Sequence, residues 1–255
     1  MDLLSLIFVF ILGLILGSFL NCLIWRLYKE ESMGGRSYCP NCHHTIAWYD
    51  NIPLLSFIFL GGRCRSCRQA ISWQYPLVEL ATAILFVLVW QKDILVPNFS
   101  LLILRDWLLV ITLIIVFVYD SRWQLIPMLV IWPMSAVMLI LNIALGLSWT
   151  SLLLFAALGA GFFLLQFLLT KGRGLGEGDI WLGLLLGLAF PSASQLILIL
   201  LLSYSSGAII SLFLLASRQK KWKSAIALGP FLAVGAIITL IWGEGLISWY
   251  LALLI

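Results

Sequence analysis

The amino-acid sequence predicts an all-α polytopic membrane protein with about eight transmembrane helices and a long polar loop between the first two. Of its 255 residues, 63% are hydrophobic and only 10% are charged, whereas about a quarter of a soluble domain is charged. The second observation is a set of apolar runs near the roughly 20 residues that a helix needs to cross a bilayer. The runs are 3–25, 76–92, 101–121, 128–147, 151–170, 178–194, 195–217 and 228–247. In such a chain the net charge of +4 does not indicate nucleic acid, and the expected surroundings are lipid.

The positions of lysine and arginine predict the orientation, because basic loops stay in the cytoplasm. An N-terminus outside the cytoplasm puts 13 of the 15 basic residues, including Arg173 and the cluster at 218–223, on the cytoplasmic side. Only Lys92 and Arg105 are then left outside. The first run has no basic segment before it and is too long for a signal-peptide core, so we expect it to remain as a membrane anchor.

The run 178–194 is the least certain of the predicted spans. Only about a dozen residues, roughly 18 Å of helix, lie between Asp179 and Pro191. Either the helix continues through Ser192 and Ser194, or Asp179 lies below the membrane surface. Both alternatives place this acid where it can meet a substrate near the cytoplasmic boundary.

Residues 26–75 form the only long polar insertion and contain four of the five cysteines. These are Cys39, Cys42, Cys64 and Cys67, in two CxxC pairs separated by 21 residues. Each pair can turn back so that both thiolates reach one ion, and four sulfurs complete a tetrahedral structural zinc site. A loop of this size buries no core of its own, so bound zinc would supply its folding energy. Four unpaired thiols or redox cysteines are the alternatives, and the reducing cytoplasm disfavours disulfides.

Simpler roles are expected for the other residues that could bind metal or lipid. Cys22 lies in an apolar span and is interpreted as a small packing residue. His43 and His44 are interpreted as surface residues, because four cysteines already complete the site. The basic segment 218–223, with Trp222 at the headgroups, is expected to anchor the chain at the cytoplasmic face.

Two aspartates, Asp120 and Asp179, each lie beside a membrane span. A carboxylate at the edge of lipid is expensive unless it has a partner or a function. Two carboxyls that share one water cannot both ionise cheaply, so one acid and one base are present together, as peptide hydrolysis requires. Taken alone, Asp120 could instead pair with Arg122, and Asp179 could cap the following helix. The pair nevertheless suggests an aspartyl protease at the membrane.

Two glycines and a proline flank these acids. Gly176 and Gly178 directly precede Asp179, and glycine tolerates both positive φ and close backbone approach. We therefore expect them to position the backbone, and an extended substrate beside it. Pro127 is expected to break any helix that continues from Asp120, which would place that acid near a helix end.

Beyond these residues, the chain resembles the bacterial type IV prepilin peptidases, which are GxGD-type aspartyl proteases of the membrane. The matching segments, in family order, are 17–21 (GSFLN), 26–27 (RL), 39–42 (CPNC), 48–56 (WYDNIPLLS), 62–67 (GRCRSC), 75–80 (YPLVEL), Asp120 with 126–127 (IP), 176–179 (GEGD) and 229–235 (GPFLAVG). The resemblance implies that Asp120 and Asp179 are the catalytic pair. It also implies cleavage of a short basic leader, on the cytoplasmic side of the bacterial inner membrane, from a prepilin or pseudopilin of type IV pilus or type II secretion systems.

The resemblance implies a second activity as well, methylation of the new N-terminal amine with S-adenosylmethionine. This activity would belong to residues 1–95, an anchor with the cysteine loop, through Gly17, Asn21 and Glu79. Residues 96–255 would form a six-helix peptidase domain. From the residues alone, Glu79 could also be an acid that the helix dipole favours, and Asn21 could be a packing residue.

The chain departs from the family pattern at two positions. Met128 stands where an aspartate commonly follows Ile-Pro, and Trp181 replaces a lysine that is usual two residues after Gly-Asp. The second change removes a cation that could tune the aspartates or contact the substrate. Three other functions therefore stay open: a peptidase without methyl transfer, a zinc-ribbon scaffold of the secretion machinery, and a transporter that relays protons through the aspartates.

Overall fold

The structure is a computed structural model that describes residues 3–94, 96, 98–172, 174–217 and 227–253. The helices are α1 Leu3–Lys29, α2 Leu55–Phe59, α3 Gln74–Asp93, α4 Phe99–Trp123, α5 Met128–Ala144, α6 Trp149–Thr170, α7 Glu177–Ala189, α8 Ala193–Ala216 and α9 Gly229–Ala252, with a 3-10 turn at Trp48–Asn51. The chain forms two compact units, Met1–Leu95 and Val96–Ile255. The basic segment 218–223 and Arg173 lie outside the described residues.

The all-α membrane architecture predicted from the sequence is confirmed, and each predicted apolar run coincides with a helix. Among the described residues, six helices are long and apolar enough to cross a bilayer: α1, α3, α4, α6, α8 and α9. The remaining two are shorter, with 17 residues in α5 and 13 in α7. The chain is therefore a multi-pass membrane protein, and a count of eight crossings stays a prediction.

The uncertain run 178–194 is interrupted. Helix α7 ends at Ala189, and α8 begins at Ala193 after the N-cap residue Ser192. The helix therefore does not continue through Ser192, which removes the first of the two alternatives that the sequence left open. At 1.5 Å per residue α7 is about 20 Å long, well short of a hydrocarbon layer of about 30 Å.

Close packing of two helices builds the first unit. A Cβ on Gly13 would lie 2.5 Å from Cα of Ala83, and a Cβ on Gly17 would lie 2.6 Å from Cα of Glu79. Small residues let membrane helices approach until their backbones touch. Gly13 and Gly17 therefore allow α1 and α3 to pack with their backbones in contact. The polar loop connects these two helices.

The second unit is held together by contacts of α4 with α5 and α9, of α7 with α5 and α6, and of α8 with α9. The tightest of these contacts joins α6 and α7. A Cβ on Gly159 would lie 2.2 Å from the carbonyl oxygen of Gly183, and a Cβ on Gly187 would lie 2.1 Å from that of Phe155. The short helix α7 is therefore in backbone contact with its neighbour over most of its length.

The substitution Gly183→Ala is expected to destabilise the second unit. The new methyl group would lie 2.4 Å from Cδ2 of Phe163 and 2.5 Å from the carbonyl oxygen of Gly159, and overpacking of this kind costs about 1–3 kcal/mol or more. Gly161→Ala, in the same pair of helices, meets no atom within 4 Å and is the matched control. Thermal unfolding in detergent should show a lower midpoint for Gly183→Ala alone, and equal midpoints would contradict the described packing.

Candidate active site

Asp120 lies in the last turn of α4. The helix ends because Gln124 adopts the left-handed conformation, with φ 54°, and its amide donates to the carbonyl oxygen of Asp120 at 2.9 Å. Pro127 is the N-cap residue of α5. Asp120 therefore lies near a helix end, as the proline led us to expect, but it is Gln124 that ends the helix.

Asp179 lies in the first turn of α7. Its Oδ2 accepts a hydrogen bond from the amide of Gly176, the N-cap residue, at 3.1 Å. In a capping box, the side chain of the third helical residue accepts a bond from the N-cap amide, as Asp179 does here. The helix dipole also favours an anion at this position. The capping role that the sequence allowed for Asp179 is therefore present, and it leaves the other carboxylate oxygen for a further function.

A helix N-terminus also holds the Asp120 carboxylate. The amide of Gly229, the first residue of α9, donates to Oδ2 of Asp120 at 2.8 Å. A Cβ at position 229 would lie 2.4 Å from the same oxygen, so only glycine allows this approach. The alternative pairing with Arg122 is not formed among the described residues, because that guanidinium lies over the ring of Trp123 at 5.4 Å.

Both carboxylates are buried and lie near the connection between α4 and α5. Asp120 is 5% exposed and Asp179 is 8% exposed. Asp120 precedes this connection, and Ile126 within it lies against Gly178, the neighbour of Asp179. Within the described part of the chain, Oδ1 of each accepts no hydrogen bond. Two buried acids, each with one oxygen fixed by an amide and one oxygen open, are suited to sharing a proton and a water molecule.

The glycines before Asp179 act differently from one another. Gly178 allows a close approach, since a Cβ there would lie 2.8 Å from Cβ of Ile126 in the connection between α4 and α5. Gly176 has φ −82° and ψ 156°, and Gly178 is helical. Neither residue uses the positive φ that glycine allows, because the chain enters α7 through ordinary extended backbone.

The four cysteines of the polar loop form one cluster. The sulfurs of Cys39, Cys42, Cys64 and Cys67 all lie within 4.8 Å of one another, and those of Cys39 and Cys67 are 3.9 Å apart. Tetrahedral zinc with bonds of about 2.3 Å places sulfurs roughly 3.8 Å apart. The cluster therefore fits a metal such as zinc.

The backbone repeats the same turn around each pair of cysteines. The amide of His43 donates to the carbonyl oxygen of Cys39 at 2.9 Å, and that of Arg68 donates to the carbonyl oxygen of Cys64 at 3.0 Å. Both residues that follow the second cysteine have positive φ, 56° at His43 and 60° at Arg68. Two equivalent turns therefore present two thiols each to a shared point. The His43 ring stacks on Tyr38 with centroids 5.5 Å apart.

An ion pair ties the second cysteine turn to the 3-10 turn of the loop. The Arg65 guanidinium donates to both carboxylate oxygens of Asp50, at 2.7 and 2.6 Å, and lowers the pKa of that carboxyl below its usual range. The pair is largely exposed on the arginine side, so its contribution to stability is small. Its two-pronged geometry nevertheless orients the 3-10 turn.

Glu79 is buried on α3 and holds a strained turn. Its Oε2 accepts a hydrogen bond from the amide of Leu54 at 2.8 Å, and Leu54 has φ 59° and ψ −48°. A non-glycine residue at such angles is held in place by its surroundings, and the bond to Glu79 contributes to this.

The other two residues singled out near α1 connect it to the start of α3. Gly17 makes the backbone contact with Glu79 described above. The Asn21 amide donates to the carbonyl oxygen of Tyr75 at 3.2 Å, and its oxygen accepts from Gln74 at 3.2 Å. These contacts join α1 to the first turn of α3, so Gly17 and Asn21 determine where Glu79 is held.

A cavity of about 260 Å³ lies between α8 and the start of α9. Small residues, hydroxyl groups and two aromatic rings line it, among them Ser203, Tyr204, Gly207, Ser211 and Phe231. Leu228 also lines the cavity and directly precedes Gly229, whose amide binds Asp120. Among the described residues, this space therefore borders the start of the helix whose first amide binds Asp120.

Comparison with known sequences matches both parts of the chain. Residues 11–92 match the bacterial peptidase A24 N-terminal domain, and residues 107–212 match the type IV leader peptidase family. A protein of Pseudomonas aeruginosa named prepilin leader peptidase/N-methyltransferase is 35% identical over 277 residues, covering 94% of this chain and 91% of that protein. The chain belongs to the type IV leader peptidase family.

Other members of the type IV leader peptidase family are similar over comparable lengths. Proteins of the same name from Aeromonas salmonicida and Stutzerimonas stutzeri are 35% and 32% identical, and cover 96% and 94% of this chain. The aligned regions take in 93% and 92% of those proteins. No solved structure matches the chain.

The two departures from the family pattern lie away from the bonds that hold the dyad. Trp181 packs edge-on against Trp132 of α5, with ring centroids 5.4 Å apart, and it is 39% exposed. Met128 is the first residue of α5. Neither residue takes part in a hydrogen bond to Asp120 or Asp179 among the described residues, so the bonds from Gly176 and Gly229 do not depend on these two positions.

Sequence reasoning missed the roles of two residues in this family member. Gly229 was noted only as part of a family-like segment, although its amide holds Asp120. Arg26 was noted only as a basic residue and as part of another such segment, although its buried guanidinium donates to the carbonyl oxygens of Met33 at 2.6 Å and Gly35 at 3.1 Å. An arginine directly after an apolar run and before a glycine-containing segment was the available signal for such a loop anchor.

Proposed function

We propose that the chain is a membrane aspartic endopeptidase that removes the short basic leader of type IV prepilins or pseudopilins, with Asp120 and Asp179 as the catalytic pair. The observation that supports this most strongly is the pair of buried carboxylates, each fixed by a helix N-terminal amide through Oδ2. Membership of the type IV leader peptidase family supports the same reaction.

The proposed mechanism uses one proton shared by two acids. The ionised carboxylate takes a proton from water while the water oxygen attacks the carbonyl carbon of the scissile bond. The protonated carboxyl then gives its proton to the departing amine as the C–N bond breaks. Two neighbouring carboxylates do not ionise together cheaply, so the form with one proton is the expected resting state. The amides of Gly176 and Gly229 would keep Oδ1 of each acid turned toward the water.

We infer that the substrate binds in an extended form beside Gly176. The backbone there is extended and leads directly to Asp179, so its peptide groups are suited to pairing with a substrate strand. The cavity lined by Leu228, the residue before Gly229, would receive an apolar side chain of the substrate.

The location we propose is the bacterial inner membrane, with the N-terminus outside and the polar loop and the dyad facing the cytoplasm. The distribution of basic residues supports this orientation. Asp120 and Asp179 at the cytoplasmic face would then be able to contact the leader while the helix of the substrate is still in the membrane. Prepilins of type IV pili and pseudopilins of type II secretion systems are the proposed partners.

Methyl transfer is proposed for residues 1–95, and peptide cleavage for residues 96–255. S-adenosylmethionine, when bound, would supply the methyl group for the new N-terminal amine. Glu79 is a buried carboxylate suited to binding that amine as a cation, and Gly17 and Asn21 would hold α1 and α3 at the required separation. The names of the relatives support this second activity.

The polar loop is proposed to hold structural zinc through its four cysteines. Metal analysis of the purified protein should find about one zinc ion per chain, because the ligand set is complete. Cys64→Ser should lose the ion and make the loop sensitive to a soluble protease, because metal binding supplies folding energy. Ser66→Ala, within the same turn, is the matched control and should retain both the ion and the resistance. Full resistance in the metal-free Cys64→Ser protein would contradict a structural role.

The experiment that tests the proposed function uses the purified protein in detergent with a purified prepilin. Intact-mass spectrometry should show loss of the leader without any added cofactor. A further gain of about 14 Da, one methyl group, should appear only when S-adenosylmethionine is added. Cleavage without this gain would leave a peptidase that lacks methyl transfer. No cleavage of prepilin or pseudopilin substrates would refute the proposed function.

A further inference from the structure

The C-terminal end of α7 lies where backbone groups need partners. The helix is about 20 Å long in a hydrocarbon layer of about 30 Å. With Asp179 at the cytoplasmic boundary, as proposed above, the other end at Ala189 would fall inside the apolar layer. The last four carbonyl groups of a helix have no partner within it, and in lipid each of them must be satisfied by the protein.

Two of these terminal carbonyl groups have identified partners. The carbonyl oxygen of Leu186 accepts a hydrogen bond from the amide of Phe190 at 2.8 Å. The carbonyl oxygen of Leu188 accepts one from the side-chain amide of Asn142 at 2.7 Å. Asn142 is fully buried near the end of α5, so α5 supplies a cap that the sequence of α7 does not contain.

A charged residue of α4 fixes the orientation of this cap. Nη1 of Arg105 donates to Oδ1 of Asn142 at 3.0 Å, while Nε of the same guanidinium donates to Asp106 at 2.6 Å. A guanidinium can only donate, so the oxygen of the Asn142 amide must face it. The NH₂ group is thereby turned toward Leu188. Asp106 is fully buried and balances the arginine charge.

We propose that Arg105 and Asn142 are positioning residues for the dyad, because they fix how deeply α7 sits in the bundle. This proposal rests on the proposed function, since it concerns the placement of Asp179. The short helix packs against α6 along its length, and it is held at its start by the contact of Gly178 with Ile126 and at its end by Asn142. A helix is stiff along its axis, so a shift at Leu188 moves Asp179 by a similar distance. A misplacement of about 1 Å in a catalytic site can cost about a hundredfold in rate.

The test uses Asn142→Leu in the full-length protein. Leucine has a similar size and does not titrate, but it cannot donate to the Leu188 carbonyl group or accept from Arg105. The matched control is Thr112→Val on α4, because Thr112 is equally buried and its hydroxyl bonds only within its own helix, to the carbonyl oxygen of Leu108. Leader cleavage by purified protein is measured as kcat and KM across a range of pH.

We expect Asn142→Leu to lower kcat about tenfold or more and to leave KM within about twofold. The limbs of the pH profile of kcat/KM should also move by about half a pH unit. They report the titration of the two interacting carboxyls, and this interaction depends on the distance between them. Loss of folded protein lowers the height of such a profile without moving its limbs. Thr112→Val should match the wild type in both respects.

The proposal would be overturned if the pH profile of kcat/KM for Asn142→Leu differed from that of the wild type only in height. Asn142 would then contribute to stability alone. If Asn142→Leu does not accumulate, Arg105→Lys takes its place. Lysine keeps the positive charge but lacks the forked guanidinium that binds Asn142 and Asp106 together. This variant should also shift the limbs of the pH profile. No cleavage by the wild-type protein would refute the proposed function itself, and this inference with it.

Discussion

Replacement of either aspartate by asparagine is expected to lower kcat/KM for leader cleavage by at least about a thousandfold. Asparagine keeps the size of the side chain and an oxygen that can accept from the Gly229 or Gly176 amide, so the fold should persist. It cannot hold or release the shared proton, and general acid–base catalysis typically contributes about 10²–10⁴ in rate. The measurement is the initial rate of leader release by purified Asp120→Asn and Asp179→Asn.

A protein that carries both Asp120→Asn and Asp179→Asn tests whether the two acids act together. Losses of activity are not additive for residues that act as one catalytic unit. The double variant should therefore have nearly the same kcat/KM as either single variant. Glu244→Gln is the control, because Glu244 is an exposed acid in the same unit, on α9; it should cleave at the wild-type rate. Single variants that keep more than about a tenth of the wild-type rate would exclude a shared dyad.

The second large effect is expected from Gly229→Ala. The new Cβ would lie 2.4 Å from Oδ2 of Asp120 and 3.1 Å from its Cγ. The carboxylate must then leave the amide that orients it, and a displacement of about 1 Å can cost about a hundredfold in rate. Leader cleavage should therefore fall by about that factor, mainly in kcat.

A matched substitution separates this effect from a general change in α9. Gly245 lies in the same helix, and a Cβ there would meet nothing within 4 Å. Gly245→Ala should keep the wild-type rate and thermal midpoint. Wild-type cleavage by Gly229→Ala would show that Asp120 does not work from the position described here.

The membrane class and the two acids could be predicted from the sequence because their signals are local. Apolar runs define helices over some 20 residues, and Asp120 and Asp179 differ sharply from their neighbours. The contacts that hold the acids are not local. The amide of Gly229 meets Asp120 across 109 positions of the chain, and no periodic pattern encodes such a contact.

The length of α7 shows a second limit of sequence reasoning. The apolar pattern runs on from 178 to 194. Pro191 indicated a possible break, but hydropathy alone does not show that the helix ends at Ala189. The helix ends there with a partner supplied by α5, through Asn142 and Leu188. A cap that comes from another helix leaves no signature in the sequence of the helix that it ends.

In the cysteine loop, by contrast, a local sequence pattern was enough to predict the site. The spacing of the two CxxC pairs indicates a shared metal site, because four cysteines in this pattern are typical of zinc ligands. The spacing did not reveal that His43 and Arg68 would adopt positive φ. Those two residues are not glycine, so the turn chemistry that usually signals this conformation is missing.

The most direct test of the central claim is the intact mass of a prepilin co-expressed with the wild-type protein, with Asp120→Asn or with Asp179→Asn. The account predicts that the leader is lost with the wild type alone and stays attached with both variants, while all three proteins accumulate in the membrane. Cleavage by either variant at the wild-type level would contradict the assignment of Asp120 and Asp179 as the pair that cuts the leader.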